Sequence, residues 1–389
     1  EEWIMKEKKN IKIFLIVTTV PMSLYFFRGQ VNILKKEFDV KVASGLGSGL
    51  DEFCDSHRVE GFRISKLGRK IAPIKDFISI INLIKIIRKI KPYIVHGNTP
   101  KGGLVSMLAS WITRTPIRVY CVHGLRYQGT KGIQKKMLML LEKLSCRLAT
   151  HVVTVSFGMK KTLRDDSITK KEVHIIWNGS VNGINIEYFS PEVVDENSLR
   201  EKYNLTKEHI VFGFIGRIVK DKGVNELIVA FLKLNEVYPY TKLLIVGPIE
   251  EDNIIDATTK YEIENNPNIV FCGSQKDVRP YLKLMNIFTF PSYREGFGIS
   301  LMEAAAMNIP AISSNISGCN EIIKDGYNGK LISSKSTVEL FNMMKHFVDN
   351  PEKVLEMSNV SRQFVIEKYD QKILWDKALK KYLKISGDV

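Results

Sequence analysis

The first residues that could carry chemistry are two glutamates, Glu295 and Glu303, in the segment PSYREGFGISLMEAAAMNIP at residues 291–310. On one continuous helix, the eight steps between them would separate the carboxylates by about 80° of rotation and ~12 Å along the axis, too far to share a site. Two glycines follow Glu295 and oppose helix formation. We therefore predict a turn at Glu295 and a helix that begins near Ile299.

This turn would follow a strand, at the carboxyl edge of a parallel sheet, where such sheets bind ligands. Glu295 in the loop and Glu303 in the first turns of the helix would both face that edge. The N–H groups of Gly296, Phe297 and Gly298 are expected to lack helix partners, which suits a diphosphate. The alternative is that Glu303 lies on a solvated face of the helix and that the glycines only form the turn.

A second group with suitable chemistry lies in GFIGRIVKDKG, residues 213–223. Gly216 permits a close backbone approach, and Arg217 and Lys222 supply fixed positive charge that could stabilise a leaving diphosphate without a metal. Two surface cations after a strand would be a simpler explanation. Their expected place at the same sheet edge as Glu295 favours a binding site.

The elements that would position these groups are short apolar strands that alternate with longer amphipathic helices. The predicted strands are 11–18, 39–44, 93–96, 117–122, 151–156 and 173–177, then 209–218, 243–246, 268–272, 287–291 and 309–313. The predicted helices are 74–90, 104–113, 133–149, 224–237, 278–285, 299–307 and a last one at about 370–386. This alternation predicts parallel sheets covered on both faces. Two such series predict an α/β chain of two Rossmann-like, doubly wound domains.

Positive charge is concentrated in the first half of the chain. The formal net charge is +15; residues 1–190 carry 32 Lys and Arg against 15 Asp and Glu, and residues 191–389 carry 25 against 27. A one-sided basic surface attracts phosphates of nucleic acid or anionic lipid. A generally lysine-rich proteome would explain the total positive charge. It explains less well why the charge is concentrated in the first half.

Other classes of protein and site are disfavoured. The five cysteines are scattered without a CxxC pair, which argues against a zinc site or disulfide framework and suits a reducing cytoplasm. No uncharged stretch is long enough for a transmembrane helix. GLGSGL, residues 45–50, begins like a dinucleotide fingerprint but has Leu50 in place of the third glycine, so a hydride-transferring enzyme is not expected.

Two basic amphipathic stretches, 74–92 and 131–148, could lie on an anionic membrane. Helices of doubly wound domains also carry an apolar stripe that packs on the sheet. We predict the packing role for both stretches, and more firmly for 74–92, because a strand follows it at once.

The two motifs GRIVKDKG and PSYREGFGISLMEAAAMNIPAISSNISGCNEII resemble the signature of the retaining glycosyltransferases of family four, which have the GT-B fold. VNGINIEYFSP is similar to the interdomain signature of that family, and CVHG to its first-domain histidine motif. The resemblance covers most of the chain and is strongest over residues 209–330. It implies two Rossmann-like domains with an interdomain cleft: residues 1–190 bind the acceptor and residues 191–389 the nucleotide sugar. The last helix could pack back on the first domain.

The resemblance also implies roles for single residues. Glu303 would hold the ribose hydroxyls of a nucleotide sugar, and Glu295 would contact the donor sugar near its reacting carbon. Arg217 and Lys222 would neutralise the departing diphosphate. His123 would reach the donor sugar from the first domain, although a histidine before glycine at a strand end is more often structural.

Further candidates are loop residues next to predicted strands. The donor-binding candidates are Gly216, Gly273, Ser274, Gly296, Phe297, Gly298 and Ile299. The acceptor-binding candidates are Gly29 and His96. Many family members have a Gly-Gly pair where this chain offers only Gly29, which weakens that assignment.

The predicted function is a metal-independent retaining glycosyltransferase of the hexosyltransferase type. It would move a sugar from a nucleotide sugar, with UDP as the expected nucleotide, to a polyprenyl-diphosphate-linked saccharide in bacterial surface polysaccharide synthesis. No cofactor, metal or nucleic acid is expected. The expected place is the cytoplasm, peripheral on an anionic membrane surface at the inner face of the cytoplasmic membrane. The alternatives are a GT-B nucleotide-sugar epimerase and a non-enzymatic nucleic-acid-binding protein.

Overall fold

Parallel β-sheets organise the protein. The computed structural model describes residues 11–250 and 254–387. The chain divides into a first unit, Glu1–Asn182 with Lys372–Val389, and a second unit, Gly183–Gln371. Each unit is built on one sheet with helices along it.

Seven described strands form the sheet of the first unit, in the order β3-β2-β1-β4-β5-β6-β7, with every neighbouring pair parallel. These strands are β1 Ile13–Thr18, β2 Asp39–Ser44, β3 Glu60–Arg63, β4 Ile94–Asn98, β5 Ile117–Val122, β6 His151–Thr154 and β7 Val173–Ile175. Strand β1 lies inside the sheet and is apolar except for its last residue, and Phe14, Leu15 and Ile16 are fully buried. Such a continuous apolar run is expected where helices cover both faces of a sheet.

The described helices of the first unit follow its strands and bring in one segment from the end of the chain. They are α1 Gln30–Leu34, α2 Leu50–His57, α3 Pro73–Ile90, α4 Pro100–Ile112, α5 Gly132–Leu148 and α6 Phe157–Asp165, together with the last helix, α14 Gln371–Ser386. Helix α4 contacts both α3 and α5, so these three lie side by side on one face of the sheet.

Six described strands form the sheet of the second unit, in the order β10-β9-β8-β11-β12-β13, again all parallel. They are β8 Ile210–Ile215, β9 Thr241–Val246, β10 Ile269–Phe271, β11 Ile287–Phe290, β12 Ala311–Ser314 and β13 Gly329–Ile332. The described helices of this unit are α7 Asn197–Lys202, α8 Val224–Val237, α9 Ala257–Asn265, α10 Arg279–Leu284, α11 Ile299–Ala306, α12 Thr337–Asp349 and α13 Pro351–Tyr369.

The predicted strands are confirmed, with ends that shift by a few residues, and α11 begins at Ile299 as predicted. Two strands were missed, β3 and β13. Each lies at the edge of its sheet, and the sequences EGFR and GKLI contain no continuous apolar run. An edge strand needs less burial than a central one, so the pattern that identified the other strands is absent here.

The boundary between the units lies at Asn182 and Gly183, a few residues before the predicted boundary at 190 and 191. Ile184 explains the difference, because its N–H donates to Tyr369 O at 2.8 Å and its carbonyl accepts from Gln371 N–H at 3.1 Å. These bonds attach the segment after Gly183 to the end of α13. Residues 372–389 belong to the first unit; the sequence analysis counted them with residues 191–389 and expected that the last helix could pack back on the first domain.

The two basic amphipathic stretches follow the predicted packing role only in part. In α5 the buried side chains are Glu142, Ser145 and Cys146, while residues 131–137 are all exposed. The predicted packing is therefore absent over residues 131–137, whereas Leu138, Leu141 and Leu144 of the apolar stripe are half-buried. In α3 the predicted packing holds for Ser79, Leu83 and Ile87, the buried residues of that helix.

Candidate functional site

The candidate site of the second unit lies where the strand order of its sheet reverses. Strand β8 pairs with β9 on one side and with β11 on the other, so the connections that leave β8 and β11 diverge. Parallel sheets bind ligands at the carboxyl ends of strands at such a switch point. The loops that leave these two strands, residues 216–223 and 291–298, contain half of the site residues singled out from the sequence.

Lys222 and Glu295 form an ion pair that joins these two loops. Lys222 Nζ donates to Glu295 Oε1, and the two side chains are only 17% and 11% exposed. The same oxygen accepts a hydrogen bond from Ser292 Oγ at 2.7 Å. The ammonium also lies 4.9 Å from the centre of the Phe290 ring, a cation–π contact. The sequence analysis predicted that both charges lie at one sheet edge, but it did not predict that they contact each other.

Further bonds hold the second loop against the first. Asp221 O accepts from Tyr293 N–H at 2.8 Å, and Asp221 Oδ2 accepts from Arg294 Nε at 2.9 Å. Tyr293 Oη donates to Glu226 Oε1 in the first turn of α8 at 2.6 Å. The sequence analysis missed these residues, although Asp221, Tyr293 and Arg294 lie inside the two motifs. Together they fix the positions of Lys222 and Glu295.

A glycine is required where the two loops meet. Gly223 has φ +70°, and a Cβ added there would lie 2.1 Å from Pro291 O. Any other residue would be strained in its backbone and would push the loop at Pro291 away. The close approach therefore depends on the last residue of the motif KDKG.

A second glycine, Gly318, supports the turn that carries the predicted amides. Its φ is +78°, and its Cβ would lie 2.7 Å from Gly296 O. Gly318 O accepts from the N–H of Gly298 at 2.9 Å, and Phe297 O accepts from the N–H of Ile299 at 2.9 Å. The predicted free amide at Gly298 is therefore wrong, because a carbonyl from the loop after β12 already bonds it, and the amide of Ile299 is also engaged. Among the described residues, the N–H groups of Gly296 and Phe297 have no hydrogen-bond partner.

Glu303 lies in the second turn of α11, and its carboxyl group has no hydrogen-bond or ion-pair partner among the described residues. Burial raises the pKa of its carboxyl group to about 8, because ionisation is costly in apolar surroundings. A carboxyl group in this state gains from any ligand that donates hydrogen bonds to it. Vicinal hydroxyl groups of a sugar are such donors.

Arg217 is more exposed than Lys222 and has a different ion-pair partner. It pairs with Glu250 at 2.8 Å, and its side chain is 53% exposed. An exposed pair of this kind contributes at most about 1 kcal/mol to stability, so the guanidinium can exchange partners at little cost. This suits a group that must turn to an incoming phosphate.

The loops after β8, β9 and β10 are joined by backbone contacts. Gly216 N–H donates to Val246 O at 3.0 Å, and Gly247 N–H donates to Gly273 O at 2.8 Å. Gly247 has φ +142°, and its Cβ would lie 1.9 Å from Gly216 O. Gly247, which the sequence analysis missed, thus brings Gly216 and Gly273 close together. Ser274 follows as an exposed residue.

The sheet of the first unit carries the predicted histidine at its carboxyl edge. His123 follows β5, and its Nε2 lies 2.9 Å from Oδ1 of Asn98 at the end of β4. Asn98 Nδ2 donates to Val17 O at 3.2 Å, which fixes the amide so that Oδ1 faces His123. An amide oxygen only accepts, so Nε2 of His123 carries the proton and Nδ1 is an acceptor.

The free acceptor of His123 is enclosed by protein. Nδ1 is buried and has no partner among the described residues, and Phe26 stacks on the ring at 5.3 Å. Burial lowers the pKa of His123 to about 4, so the imidazole is neutral near pH 7. A neutral ring with one vacant acceptor suits a hydroxyl donor and is a poor base.

The acceptor-binding prediction for His96 is corrected by the structure. Its side chain is 1% exposed, Nδ1 accepts from Asn98 Nδ2 at 3.0 Å, and Nε2 lies 2.8 Å from Tyr382 Oη of α14. Both ring nitrogens are thus engaged inside the core, where no acceptor molecule can reach them. Burial also lowers the pKa of His96 to about 3.

Gly29 has a packing reason to be glycine. Its φ is +78°, and a Cβ there would lie 2.1 Å from the indole of Trp375 in α14. Trp375 Nε1 donates to Asn182 Oδ1 at 2.8 Å, which holds the indole in place. The contact accounts for the glycine without a ligand, and an acceptor-binding role for Gly29 stays a prediction.

The amino edge of the second sheet has an apolar cavity of about 430 Å³, lined among others by Ile210, Ile287 and Phe347. Ile210 and Ile287 are the first residues of β8 and β11, so the cavity lies at the opposite edge from the ion pair. None of the predicted site residues lines it. In the described ranges, no group of three or more His, Cys, Asp or Glu side chains could hold a metal ion, and no helix is long and apolar enough to cross a membrane.

Comparison with known proteins agrees with this geometry. A family model described as "Glycosyl transferases group 1" matches residues 195–364, and one described as "Glycosyltransferase Family 4" matches residues 32–180. The chain is 33% identical over 371 residues to the capsular polysaccharide biosynthesis glycosyltransferase CapM of Staphylococcus aureus, with 95% of this chain and 96% of CapM covered.

Two further similarities are informative. An Escherichia coli protein named UDP-Gal:alpha-D-GlcNAc-diphosphoundecaprenol alpha-1,3-galactosyltransferase is 26% identical over 343 residues, with 86% of each chain covered. The crystal structure of Anabaena HepE in complex with UDP and glucose superposes with a TM-score of 0.79 at 18% identity, with 96% of this chain and 99% of HepE covered. At that identity the superposition shows the shared fold.

Proposed function

The chain belongs to the glycosyltransferases of family four, and from this membership we propose that it moves a hexosyl group from a UDP-sugar to a polyprenyl-diphosphate-linked saccharide, with retention of anomeric configuration. The product would serve the synthesis of a bacterial surface polysaccharide. The observation that carries the proposal is the carboxyl group of Glu303, which lacks a partner near the carboxyl edge where Lys222 and Glu295 meet.

The donor would bind by its nucleotide first. Glu303 would accept hydrogen bonds from the two ribose hydroxyls, and the base would lie near Gly273 and Ser274. The amides of Gly296 and Phe297 would donate to oxygens of the diphosphate or sugar. This assignment uses the two amides of the turn that remain without partners and leaves out Gly298 and Ile299.

The cations would act on the leaving group. Lys222 is already held by Glu295, and its ammonium has three donors, so it can bond a phosphate oxygen while it keeps the carboxylate. Arg217 would leave Glu250 and turn to the diphosphate, because its exposed pair is weak. Fixed charges of this kind stabilise the negative charge that develops in the transition state.

The transfer itself exchanges one C–O bond for another. The bond from the anomeric carbon to the β-phosphate oxygen breaks and its electron pair stays with UDP. The acceptor hydroxyl attacks the same face, and its proton passes to the departing phosphate oxygen. His123 would accept a hydrogen bond from a sugar hydroxyl at Nδ1 and would move no proton, since its pKa is about 4.

A lipid-linked acceptor is supported by the relative from E. coli, whose name specifies a diphosphoundecaprenol saccharide. The excess of positive charge in residues 1–190 supports the same acceptor, since it favours a diphosphate and an anionic bilayer. On this basis we propose a peripheral place at the inner face of the cytoplasmic membrane.

The test combines nucleotide binding and turnover. We expect UDP, and not ADP, NAD or single-stranded DNA, to raise the Tm, because a ligand at 100 times its Kd adds about 2.7 kcal/mol. Glu303→Gln should lose most of this response, while Glu236→Gln, an exposed glutamate of α8, should keep it. A Tm response to DNA alone would refute the proposal.

The same preparation separates transfer from epimerisation. UDP-sugars are incubated with and without a short-chain polyprenyl-diphosphate saccharide, and products are identified by NMR. We expect a new glycosidic bond of the donor's anomeric configuration only when the acceptor is present. Conversion of the donor sugar without acceptor would indicate the epimerase, and an inverted linkage would refute retention.

A further inference from the structure

An exposed apolar surface lies on the first unit, on a face of its sheet that the proposed chemistry does not use. Helix α3 exposes Ile74, Phe77 and Ile81, and helix α5 exposes Ile133, Met137 and Leu140. The spacing i, i+3, i+7 in α3 and i, i+4, i+7 in α5 places each set on one side of its helix. We call these six side chains and the cations around them the α3/α5 surface.

The starts of the two helices lie near each other on this face of the sheet. Both contact α4, and a cavity of about 60 Å³ is lined from one side by Ile71 and Asp76 and from the other by Leu138 and Leu141. Arg126 Nη1, just before α5, donates to Arg69 O at 3.3 Å, just before α3. The first halves of α3 and α5 therefore lie near each other on the same face of the sheet.

The exposure is large for these residue types. Ile74 is 79% exposed and Ile133 is 88% exposed. Single exposed apolar residues are common on proteins, but six large ones on two nearby helices mark a surface that has a partner.

The charges around the apolar residues are nearly all positive. Residues 69–81 and 126–143 contain eight Lys and Arg against two acids. Both acids are engaged: Asp76 pairs with Lys101 at 2.6 Å, and the buried Glu142 accepts from Tyr120 Oη at 2.7 Å. Burial also raises the pKa of Glu142 to about 7, which reduces its charge near neutral pH.

We infer that the α3/α5 surface docks the protein on an anionic lipid bilayer, with the six apolar side chains inserted among the acyl chains and the lysines and arginines against lipid phosphates. Apolar side chains flanked by Lys and Arg match the two layers of a bilayer interface. A second copy of the same surface fits less well, because eight cations would face eight cations.

This inference rests on the proposed function, because only a lipid-linked acceptor gives the enzyme a reason to dock. It adds to that function which surface of the protein contacts the membrane. The two can fail separately, since UDP binding needs no membrane and vesicle binding needs no nucleotide.

The experiment measures co-sedimentation of the full chain with vesicles of phosphatidylcholine alone and with equimolar phosphatidylcholine and phosphatidylglycerol. We expect binding to the mixed vesicles only, with an affinity that falls as salt is raised. Equal binding to both kinds of vesicle, or binding to neither, would overturn the inference.

Two pairs of variants test the apolar part with charge held constant. Ile133→Ser with Leu140→Ser should lower the partition coefficient by about tenfold or more. The matched control is Val338→Ser with Leu355→Ser, two residues of the second unit that are 66% and 63% exposed, and it should bind like the wild type. If the first pair also bound like the wild type, the assigned surface would be wrong.

The cationic part has its own matched pair. Lys135→Gln with Lys136→Gln should lower the partition coefficient by roughly tenfold or more, since each lysine near an anionic surface adds about fivefold. Lys233→Gln with Lys377→Gln, exposed lysines elsewhere, removes the same charge and should have a much smaller effect. Equal losses from both pairs would show that net charge alone binds the vesicles.

Two further readouts complete the assignment. All variants should keep the rise in Tm with UDP; if vesicle binding fails while this response persists, the docking inference falls and the proposed function stands. Sedimentation velocity without vesicles should give the same molecular mass for the wild type and for Ile133→Ser with Leu140→Ser. A dimer that this variant converts to a monomer would instead assign the surface to a protein interface.

Discussion

His123 Nε2 lies 2.9 Å from Asn98 Oδ1, and this contact determines which nitrogen of the ring can meet a ligand. The amide of Asn98 is itself oriented by donation to Val17 O and to Nδ1 of His96. Asn98 therefore fixes the tautomer of His123 and leaves Nδ1 as its vacant acceptor. No motif in the sequence pointed to Asn98.

The first prediction concerns this tautomer. In the wild type, ¹⁵N NMR of the side chain should show protonated Nε2 and unprotonated Nδ1 in His123. Asn98→Asp places a carboxylate at the proton and should raise the pKa of His123 above its present value of about 4, so that imidazolium appears as pH is lowered toward 6. The exposed His346 provides an internal reference. An unchanged titration of His123 in Asn98→Asp would contradict the assigned contact.

The second prediction concerns stability against pH through Glu303. Its pKa is raised from 4.5 to about 8 in the folded protein, so between these values the folded state binds more protons than the unfolded state. The free energy of unfolding should therefore fall as pH rises through this range. Glu303→Gln should remove this contribution, and its Tm advantage over the wild type should grow from pH 5 to pH 8. A constant difference in Tm would contradict the raised pKa.

Nucleotide binding should reverse this shift, which gives the third prediction. Hydroxyl groups that donate to the carboxylate of Glu303 favour its charged form, so UDP should release close to one proton from this residue at pH 7. Calorimetry in two buffers of different ionisation enthalpy measures the release, and Glu303→Gln supplies the baseline for protons from UDP itself. Equal release from both proteins would place the ribose elsewhere.

The fourth prediction concerns the pair of Lys222 and Glu295. Lys222→Met leaves a carboxylate with little solvent contact and without its cation, which should lower the free energy of unfolding by about 3 kcal/mol. Adding Glu295→Gln should recover most of that stability, and it should not recover turnover. Urea unfolding with assays of the two single variants and the double variant makes the comparison. Additive losses of stability would show that the pair is not coupled.

The fifth prediction concerns Gly318, which touches the proposed donor site only through the turn at Gly296. Gly318→Ala must place a Cβ against Gly296 O in a backbone conformation that alanine rarely adopts. We expect UDP affinity to fall about tenfold or more while the fold persists, as followed by calorimetry and circular dichroism. The control is Gly132→Ala at the start of α5, outside the proposed donor site, where the φ is +60° but the added Cβ meets no atom within 4 Å. Equal losses of UDP affinity in both variants would show that a strained backbone alone, and not the contact with Gly296 O, lowers the affinity.

Much of the fold could be predicted from residues that are close together in the sequence. Runs such as IFLIVT are apolar because their strands are buried on both faces, and the glycines after Glu295 stop α11 from beginning before Ile299. The motifs GRIVKDKG and EGFG also indicated which sheet edge carries the site, since parallel strands bring their carboxyl ends together. Edge strands β3 and β13 gave no such signal, because partial exposure requires no apolar run.

The sequence by itself determined two parallel sheets, the order of most elements and the family of the protein. Only the tertiary structure decided the state of each functional group, because that state depends on contacts between distant segments. Tyr382 contacts His96 from 286 positions away, and the carbonyl of Gly318 accepts from the N–H of Gly298. Burial raises the pKa of Glu303, whose carboxyl group has no partner among the described residues. Periodicity predicts a helix from its own residues. It does not predict which surfaces meet, nor which apolar side chains of α3 and α5 are left exposed.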